Sequence, residues 1–315
     1  MLIKVIGSSA GGGFPQWNCN GPQSRAVRFG RSGFRSRTQS SVAVSSNGAD
    51  WVLLNASPDI REQIAATPEL QPRPDGPLRH SPIKAVVVTN ADIDHIAGLL
   101  TLREKEAFSL YASERSLATL NANSVFDALD HDLVPRRLLP LGESIELRGP
   151  AGSIGLSLET FAVPGKTPLY LEEAGKSIED YISEEGEAIG LRIWQGTVSE
   201  GDRPALYYIP GCAWVDGGLR DRLQGAGILL FDGTVFTDSE MPDLGLGAKT
   251  GNRMGHLAIS GEAGAMAQLN GVDIGRRIFI HINNSNPILD ENSSARREVE
   301  EAGWDVAFDG MELEL

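Results

Sequence analysis

An α/β (α+β) fold is predicted because short apolar runs rich in β-branched residues recur in both halves of the chain. Helical patterns fill the spaces between several of these runs, and polar motifs follow the ends of some of them. Neither a repeat of fixed period nor a low-complexity linker divides the sequence, so we predict one domain over residues 1–315. The 41% hydrophobic and 22% charged content is that of a globular protein rather than a disordered chain.

The first elements are a strand at residues 2–6 and a glycine-rich segment at 7–13. Glycines permit positive φ and a close approach of the backbone. No helix pattern or dinucleotide-binding spacing follows, so a tight loop beside a site is favoured over a phosphate cradle. The runs at 40–45 and 51–55 flank a turn-rich segment and predict a hairpin, and residues 57–60 open a helix.

The next element is the apolar run at residues 83–88, which predicts a buried strand after a proline-rich surface loop at 71–77. A helix is expected to begin near Gly98. The acidic, glycine-punctuated stretch at 171–187 is typical of a solvated face or a flexible flap, and we assign it no role. Further strand signals occur at residues 154–163, 190–194, 205–209, 227–236 and 277–282.

Net charge indicates which kinds of partner are disfavoured, and the cysteine content indicates the cellular compartment. A formal net charge of −14 disfavours extended contact with nucleic-acid phosphate or anionic lipid. No apolar run approaches the roughly 18 to 20 residues that span a bilayer, and Lys4 interrupts the opening apolar stretch. Cys19 and Cys212 cannot form a disulfide framework. We therefore expect a cytoplasmic protein without a signal peptide or anchor, and with neither nucleic acid nor membrane as a partner.

The most informative segment is residues 89–99, which follow the predicted strand 83–88. A loop at a strand end is where a rigid scaffold presents ligands. The segment resembles the metallo-β-lactamase superfamily signature H-x-H-x-D-H. Asn90 and Asp92 stand in place of the first two histidines, while Asp94 and His95 are retained. Taken alone, such an Asp–His pair is equally consistent with a hydrogen-bonded helix cap.

Later segments resemble the same superfamily in the same order along the chain. Lys166 replaces the histidine of a P-G-H-T segment, and because a divalent cation repels an ammonium group, Lys166 either contacts a substrate anion or turns away. Cys212 falls at the position of the bridging carboxylate, where it is either a ligand or a small buried residue. Asp232 and His256 lie in segments that resemble the tRNA-processing and phosphodiesterase branch. His281 matches the closing strand-end histidine.

The superfamily resemblance implies an αββα sandwich of two mixed β-sheets flanked by helices. It also implies that Asp94, His95 and His281 are the ligands of the superfamily's second metal site, whereas the first site has lost its histidines. Two imidazoles and one carboxylate are the ligand type of non-haem Fe(II) oxygenases. Zn(II) with three protein ligands is chemically feasible too, so the ligand set alone leaves the metal open.

Other residues near this ligand set receive supporting roles. Asn90, Cys212 and Asp232 are candidates for an additional ligand or for contacts to the ligands. His256, on a glycine-flanked loop, and Asp92 are the candidate catalytic side chains. His256 is expected to contact the substrate or one of the ligands.

Several segments go beyond the superfamily and resemble the pyrroloquinoline quinone (PQQ) biosynthesis protein B family over essentially the whole chain: residues 7–20, 55–61, 94–104, 255–256 and 281–287. The resemblance implies an enzyme that acts alongside other enzymes of the PQQ pathway. It further implies that Fe(II) and dioxygen are used to hydroxylate the tyrosine ring of a Glu-Tyr dipeptide derived from a precursor peptide. Some family members bind a structural zinc through a cysteine cluster, of which this chain keeps only Cys19.

A dipeptide with two carboxylates predicts a cationic contact, for which Arg61, Lys166 and Arg253 are candidates. A role as an ordinary solvated or ion-paired residue is the alternative for each. Two other functions stay open: a metal-dependent hydrolase of the parent superfamily, and a carrier that transports the finished cofactor without catalysis. Metal content separates the carrier from the enzymes, and dioxygen dependence separates the hydroxylase from the hydrolase.

Overall fold

Two mixed β-sheets form the centre of the computed structural model, which describes residues 1–165, 187–200 and 203–315. From edge to edge, the first sheet contains β14 (Met311–Glu314), β1 (Leu2–Gly7), β2 (Ser41–Ser45), β3 (Trp51–Leu54), β4 (Ile83–Val88), β5 (Ser109–Ala112) and β6 (Arg136–Leu138). The second contains β13 (Trp304–Val306), β12 (Ile274–Ile280), β11 (Ala226–Asp232), β10 (Leu206–Ile209), β9 (Ile189–Gln195), β8 (Gly152–Ala162) and β7 (Ser144–Gly149). In each sheet an antiparallel part joins a parallel part, which runs from β3 to β6 and from β10 to β13.

Helices pack against the outer faces of both sheets, and none of those described is long and apolar enough to cross a membrane. They are α1 (Pro22–Arg28), α2 (Ile60–Ala66), α3 (Ile93–Ile96), α4 (Glu114–Ala122), α5 (Gly217–Arg222), α6 (Glu240–Asp243), α7 (Ala265–Gln268) and α8 (Ser294–Glu301).

Successive side chains of a strand point to opposite faces of its sheet, and this alternation builds the layers. Val87 of β4 and Leu230 of β11 belong to the apolar core between the two sheets. Val86 faces the other way and packs in a cluster with Ile60 of α2. The outer face of the second sheet packs with Val299 of α8 in a third cluster. The predicted fold of two mixed sheets flanked by helices is therefore confirmed.

The strand ends that carry the polar motifs lie together because the two sheets are joined at that edge. After β1, the amide of Ala10 donates to the carbonyl of Ile282 at 2.9 Å. The amide of Ile282, just after β12, donates in turn to the carbonyl of Ser8 at 3.0 Å. The segments that follow β4, β11 and β12 consequently converge where the first glycine-rich loop begins.

Several predicted elements differ from the structure at their ends. The hairpin of β2 and β3 is confirmed, and so is the buried strand β4. The strand predicted at 227–236 ends at Asp232. The strand predicted at 277–282 ends at Ile280, because His281 adopts a left-handed φ of 59° that no strand continues through. The helix expected near Gly98 begins at Ile93. The chemistry-bearing side chains thus begin where these strands stop.

Five strands escaped sequence analysis: β5, β6, β7, β13 and β14. Four of them have only three or four residues, which is too short for alternation to show. The longer β7 is an edge strand whose residues are mostly partly exposed. These strands are defined by their hydrogen bonds to a neighbouring strand and not by an apolar pattern in their own sequence.

Glu240 connects the loop after β11 to the loop after β12. One carboxylate oxygen, Oε2, accepts a hydrogen bond from the amide of Phe236 at 2.7 Å, and the other accepts one from the hydroxyl of Ser285. Burial raises the pKa of Glu240 from its usual 4.5 to about 7, although the Ser285 bond opposes the rise. Below pH 4.5 the carboxyl is protonated in folded and unfolded chains alike, whereas between the two values only the folded chain keeps the proton.

We therefore predict that the contribution of Glu240 to the free energy of unfolding of the metal-free chain falls as pH rises from 5 to 8. The part due to Glu240 is about 3 kcal/mol, since one pKa unit corresponds to about 1.4 kcal/mol. Glu240→Gln resembles the neutral form and should be less sensitive to pH by that amount in urea unfolding. Glu262→Gln, at an exposed position, is the control. Equal pH dependence of the wild type and Glu240→Gln would contradict the prediction.

Candidate metal centre

Three side chains from two strand ends form a cluster of ligand atoms. Asp94 and His95 lie on α3, directly after β4, and His281 follows β12. Asp94 Oδ2 is 3.0 Å from His281 Nε2 and 3.8 Å from His95 Nε2. All three ligand atoms lie within 4.8 Å of one another. Both histidines are buried, while the Asp94 side chain keeps 15% exposure, so one side of the cluster opens to solvent.

The protonation states of this cluster suit a cation. Burial alone would raise the pKa of Asp94, but the imidazoles of His95 and His281 outweigh it and hold that pKa well below its usual range. Burial lowers the pKa of His95 to about 4. Burial also acts to lower the pKa of His281, but the hydrogen bond and charge of Asp94 raise it overall. An ionised carboxylate and a neutral imidazole are forms that bind metals, and a cation here would take the place of the His281 proton.

The ring orientation of His95 is set by Asn90. Asn90 Oδ1 lies 2.6 Å from His95 Nδ1 and also accepts from the amide of Asp92 at 3.0 Å. Asn90 Nδ2 donates to Asp92 Oδ2 at 3.1 Å, so partners on both sides fix which way the amide points. His95 Nδ1 must therefore carry the proton, and Nε2 presents a lone pair.

That lone pair provides a test of whether a metal fits. His95 Nε2 is buried and has no hydrogen-bond partner among the described residues. An orphaned buried nitrogen is costly unless something else binds it. Because it faces the carboxylate of Asp94 and the ring of His281, the three donors fit a metal ion.

A second group, of Asp232, His256 and His281, also lies within 4.8 Å. However, both oxygens of the fully buried Asp232 are already engaged. Oδ2 accepts from the amide of Cys212 at 2.9 Å and faces His256 Nδ1 at 2.8 Å, while Oδ1 accepts from the amide and hydroxyl of Thr234 at 3.0 and 2.7 Å. Four donors occupy the lone pairs of this carboxylate. Asp232 therefore orients its neighbours, and the first group is the better candidate for a metal.

The structure differs from the expectation that Cys212 takes the place of the bridging carboxylate. The carboxylate adjacent to His281 is Asp232, at the end of the neighbouring parallel strand β11. The Cys212 thiol instead donates to the carbonyl of Trp214 at 3.1 Å. Burial, with the charge of Asp232, raises the pKa of this thiol well above its usual range. A buried, protonated thiol that points to a carbonyl is not arranged to bind a metal.

The structure describes two of the three predicted cationic contacts, and they lie on different elements. Arg61 is exposed on α2. Arg253 lies three residues before His256 in a short 3-10 turn, where its amide donates to Thr250 Oγ1 at 3.2 Å. Lys166 lies outside the described residues. Of the two described arginines, Arg253 is the one on the loop that carries His256.

A cavity of about 530 Å³ borders His256. Its wall includes Leu257, Ala258, Asp238 and Asn252, and the His256 side chain is 18% exposed. Another cavity of about 530 Å³ borders Gly12 and Gly13 of the glycine-rich loop, and none of the three candidate ligands lines either cavity. The first cavity is connected to the centre through His256, which is part of its wall.

Sequence analysis missed Thr234, whose hydroxyl touches three residues of the site. It lies within 3.1 Å of ring nitrogens of both His256 and His281, besides its bond to Asp232. The run at 227–236 was interpreted as a continuous strand, which concealed this role. The Asp-Gly-Thr sequence at its centre, with a turn-forming pair before a hydroxyl, is the signal that could have revealed it.

Comparison with known proteins agrees with this architecture. The model of the Beta-lactamase superfamily domain matches residues 50–282. The chain is 50% identical to coenzyme PQQ synthesis protein B of Methylorubrum extorquens over 315 residues and the full length of both chains. It is 52% identical to the protein of the same name from Methylobacterium nodulans, again over the full length of both.

Solved structures show the same relationship. The crystal structure of Zn(2+)-bound PqqB from Methylobacterium extorquens is similar at a TM-score of 0.92 and 50% identity, covering 100% of each chain. A diphosphatase from the PhnP family is similar at a TM-score of 0.67, covering 100% of this chain and 97% of its own, but at 20% identity the likeness is one of fold alone. The chain therefore belongs to the coenzyme PQQ synthesis protein B family, within the beta-lactamase superfamily.

Proposed function

We propose that this chain acts in PQQ biosynthesis as an Fe(II)-dependent oxygenase that hydroxylates the tyrosine ring of a Glu-Tyr dipeptide. The observation that carries the proposal is the set of Asp94, His95 and His281, with a buried unpartnered nitrogen on His95. Two histidines and one carboxylate are the ligand type of non-haem Fe(II) oxygenases, although three such ligands also suit Zn(II). Membership of the family supports the pathway, and the zinc-bound relative supports a metal.

The reaction replaces one ring C–H bond by C–OH. One atom of dioxygen enters the ring and the other leaves as water, with two electrons and two protons from an external reductant. Asp94, His95 and His281 would hold the ion, and Fe(II) with three protein ligands would supply open coordination positions for dioxygen and substrate. His95 and His281 are themselves buried, which limits the access of water on their side of the centre.

We propose that His256 accepts a proton from the substrate ring. Its Nδ1 faces Asp232 at 2.8 Å, an acceptor that keeps the proton on that nitrogen. Nε2 is then left with a lone pair on a side chain that lines the cavity. Asp92, the other candidate catalytic residue, bonds to Asn90 and so acts on His95 through it.

The substrate carboxylates need cationic partners, and Arg253 is the better-placed candidate. Its neighbour Asn252 lines the cavity that His256 borders. Arg61 and Lys166 remain proposals that rest on sequence alone. The net charge of −14 makes a local cation more important, because the chain as a whole repels an anionic dipeptide.

We predict that metal binding depends on the three proposed ligands. Asp94→Ala and His281→Ala should each weaken Zn(II) binding by more than about 100-fold, since even removal of a ligand's hydrogen-bond partner typically costs 10- to 100-fold. Competition with a chromophoric chelator measures this under anaerobic conditions, and the wild type should bind one ion per chain. His131→Ala removes an exposed histidine and is the matched control. Unchanged affinity in both ligand variants would contradict the proposed centre.

We further predict that the chain reconstituted with Fe(II), but not with Zn(II), adds one oxygen atom to Glu-Tyr when air and a reductant are admitted. Mass spectrometry of the dipeptide measures the gain. His256→Asn keeps a donor toward Asp232 and removes the second ring nitrogen, so kcat should fall by about 10²- to 10⁴-fold while metal content stays unchanged.

Other results would favour other functions. If the wild type binds metal but adds no oxygen with either ion, the hydroxylase proposal fails. Cleavage of an ester or phosphodiester without dioxygen would then indicate a hydrolase. Binding of the finished cofactor that survives Asp94→Ala would indicate a carrier.

A further inference from the structure

We infer that Thr234 is a positioning residue that holds the ring proton of His281 on Nδ1 and so directs Nε2 toward the metal. The inference rests on the proposed metal centre and assigns a role to a residue outside the ligand set. The inference also has the Thr234 hydroxyl orient the ring of His256.

The contacts of this one hydroxyl are unusually many. Thr234 is buried in the loop after β11. Its Oγ1 is 2.7 Å from Asp232 Oδ1 and 3.0 Å from the carbonyl oxygen of His281. It is also 2.9 Å from His281 Nδ1 and 3.1 Å from His256 Nδ1.

Counting protons decides the direction of each bond. A threonine hydroxyl has one proton to donate and two lone pairs that accept. An ionised carboxylate and a carbonyl can only accept, so the proton of Thr234 goes to Asp232 or to the backbone of His281. The two Nδ1 atoms must then donate to Oγ1. For His256 the second contact of Nδ1 gives the same direction independently. That contact is with Asp232 Oδ2 at 2.8 Å, which also only accepts, so Nδ1 must carry the proton.

The consequence for His281 is a fixed tautomer. His281 Nε2 lies 3.0 Å from Asp94 Oδ2, which only accepts, so in the metal-free chain Nε2 carries a proton too. When a cation takes the place of that proton, the ring stays protonated on Nδ1 and Nε2 is the ligand atom. Asn90 does the same for His95. The Asn90 oxygen and the Thr234 hydroxyl, which follow strands of different sheets, each accept from the Nδ1 atom of one histidine. The Nε2 atoms of His95 and His281 are therefore both directed toward the proposed metal.

Thr234 also steadies the backbone of its partner. The Thr234 hydroxyl lies 3.0 Å from the carbonyl oxygen of His281, which competes with Asp232 for its one proton, and the amide of Asn283 donates to the Thr234 carbonyl at 3.0 Å. These bonds flank a residue at φ 59°, a conformation that a non-glycine residue adopts only when its surroundings hold it there.

The test compares Thr234→Val, which removes the hydroxyl and keeps the shape, with Thr234→Ser, which keeps the hydroxyl. Thr160→Val is the matched control, since it removes a buried hydroxyl that donates to the Pro140 carbonyl at 2.7 Å, outside the site. Zn(II) affinity is measured by chelator competition. In the zinc-bound proteins, NMR follows the ring N–H proton of His281 and its exchange with water. Thermal unfolding of the metal-free proteins checks the fold.

We expect Thr234→Val to bind Zn(II) about 10- to 100-fold more weakly, with a ring proton that exchanges faster. Thr234→Ser and Thr160→Val should resemble the wild type in both measurements. Equal affinity and equal exchange in wild type and Thr234→Val would overturn the inference and leave the metal centre intact. Absence of zinc binding by the wild type would overturn the centre itself, and this inference with it.

Discussion

The carboxylate of Asp94 is the group on which the rest of the site depends. It comes from the loop after β4 of the first sheet, yet its partner at 3.0 Å is His281, from the end of β12 in the second sheet. A buried carboxylate must be compensated, and here two imidazoles and the proton of His281 compensate it. A cation shared by the three side chains satisfies the same charge and also the unpartnered nitrogen of His95.

The surrounding residues convert this charge requirement into a defined geometry. Asn90 orients His95, and Thr234 with Asp232 orients His281 and His256. Asn90, Thr234 and Asp232 already make hydrogen bonds to their neighbours, so we assign them to orienting the histidines rather than to binding a second ion. Asn90 stands where the superfamily signature has a histidine. Its amide oxygen accepts a hydrogen bond from the ring of His95 instead of binding a metal. Departures from the superfamily signature thus suit a centre with a single ion.

Several strands of the two sheets could be predicted from their apolar runs, whereas the two-sheet sandwich and the proposed ligand set came from the resemblance of the motifs to the superfamily. Asp94 and His95 follow the apolar run at 83–88, and His281 lies at the end of the apolar run at 277–282. Their position at the ends of strands could therefore be predicted from the sequence. The relation of Cys212 to Asp232 could not be predicted, because it depends on the pairing of β10 with β11 in space. The role of Thr234 was concealed because apolar residues on both sides of it continue a strand pattern. In the structure the carboxylate of Asp232 bonds to the loop and β11 ends there. Short strands such as β6 and β13 could not be predicted because they form by hydrogen bonding to neighbouring strands of the sheet.

The most direct test of the account is the position of iron in a crystal of the protein loaded anaerobically with Fe(II), located by anomalous scattering at the iron edge. The account predicts one iron per chain, bound by the Nε2 atoms of His95 and His281 and by the carboxylate of Asp94. Iron bound at Asp232 and His256 instead, or two ions that share His281, would contradict it.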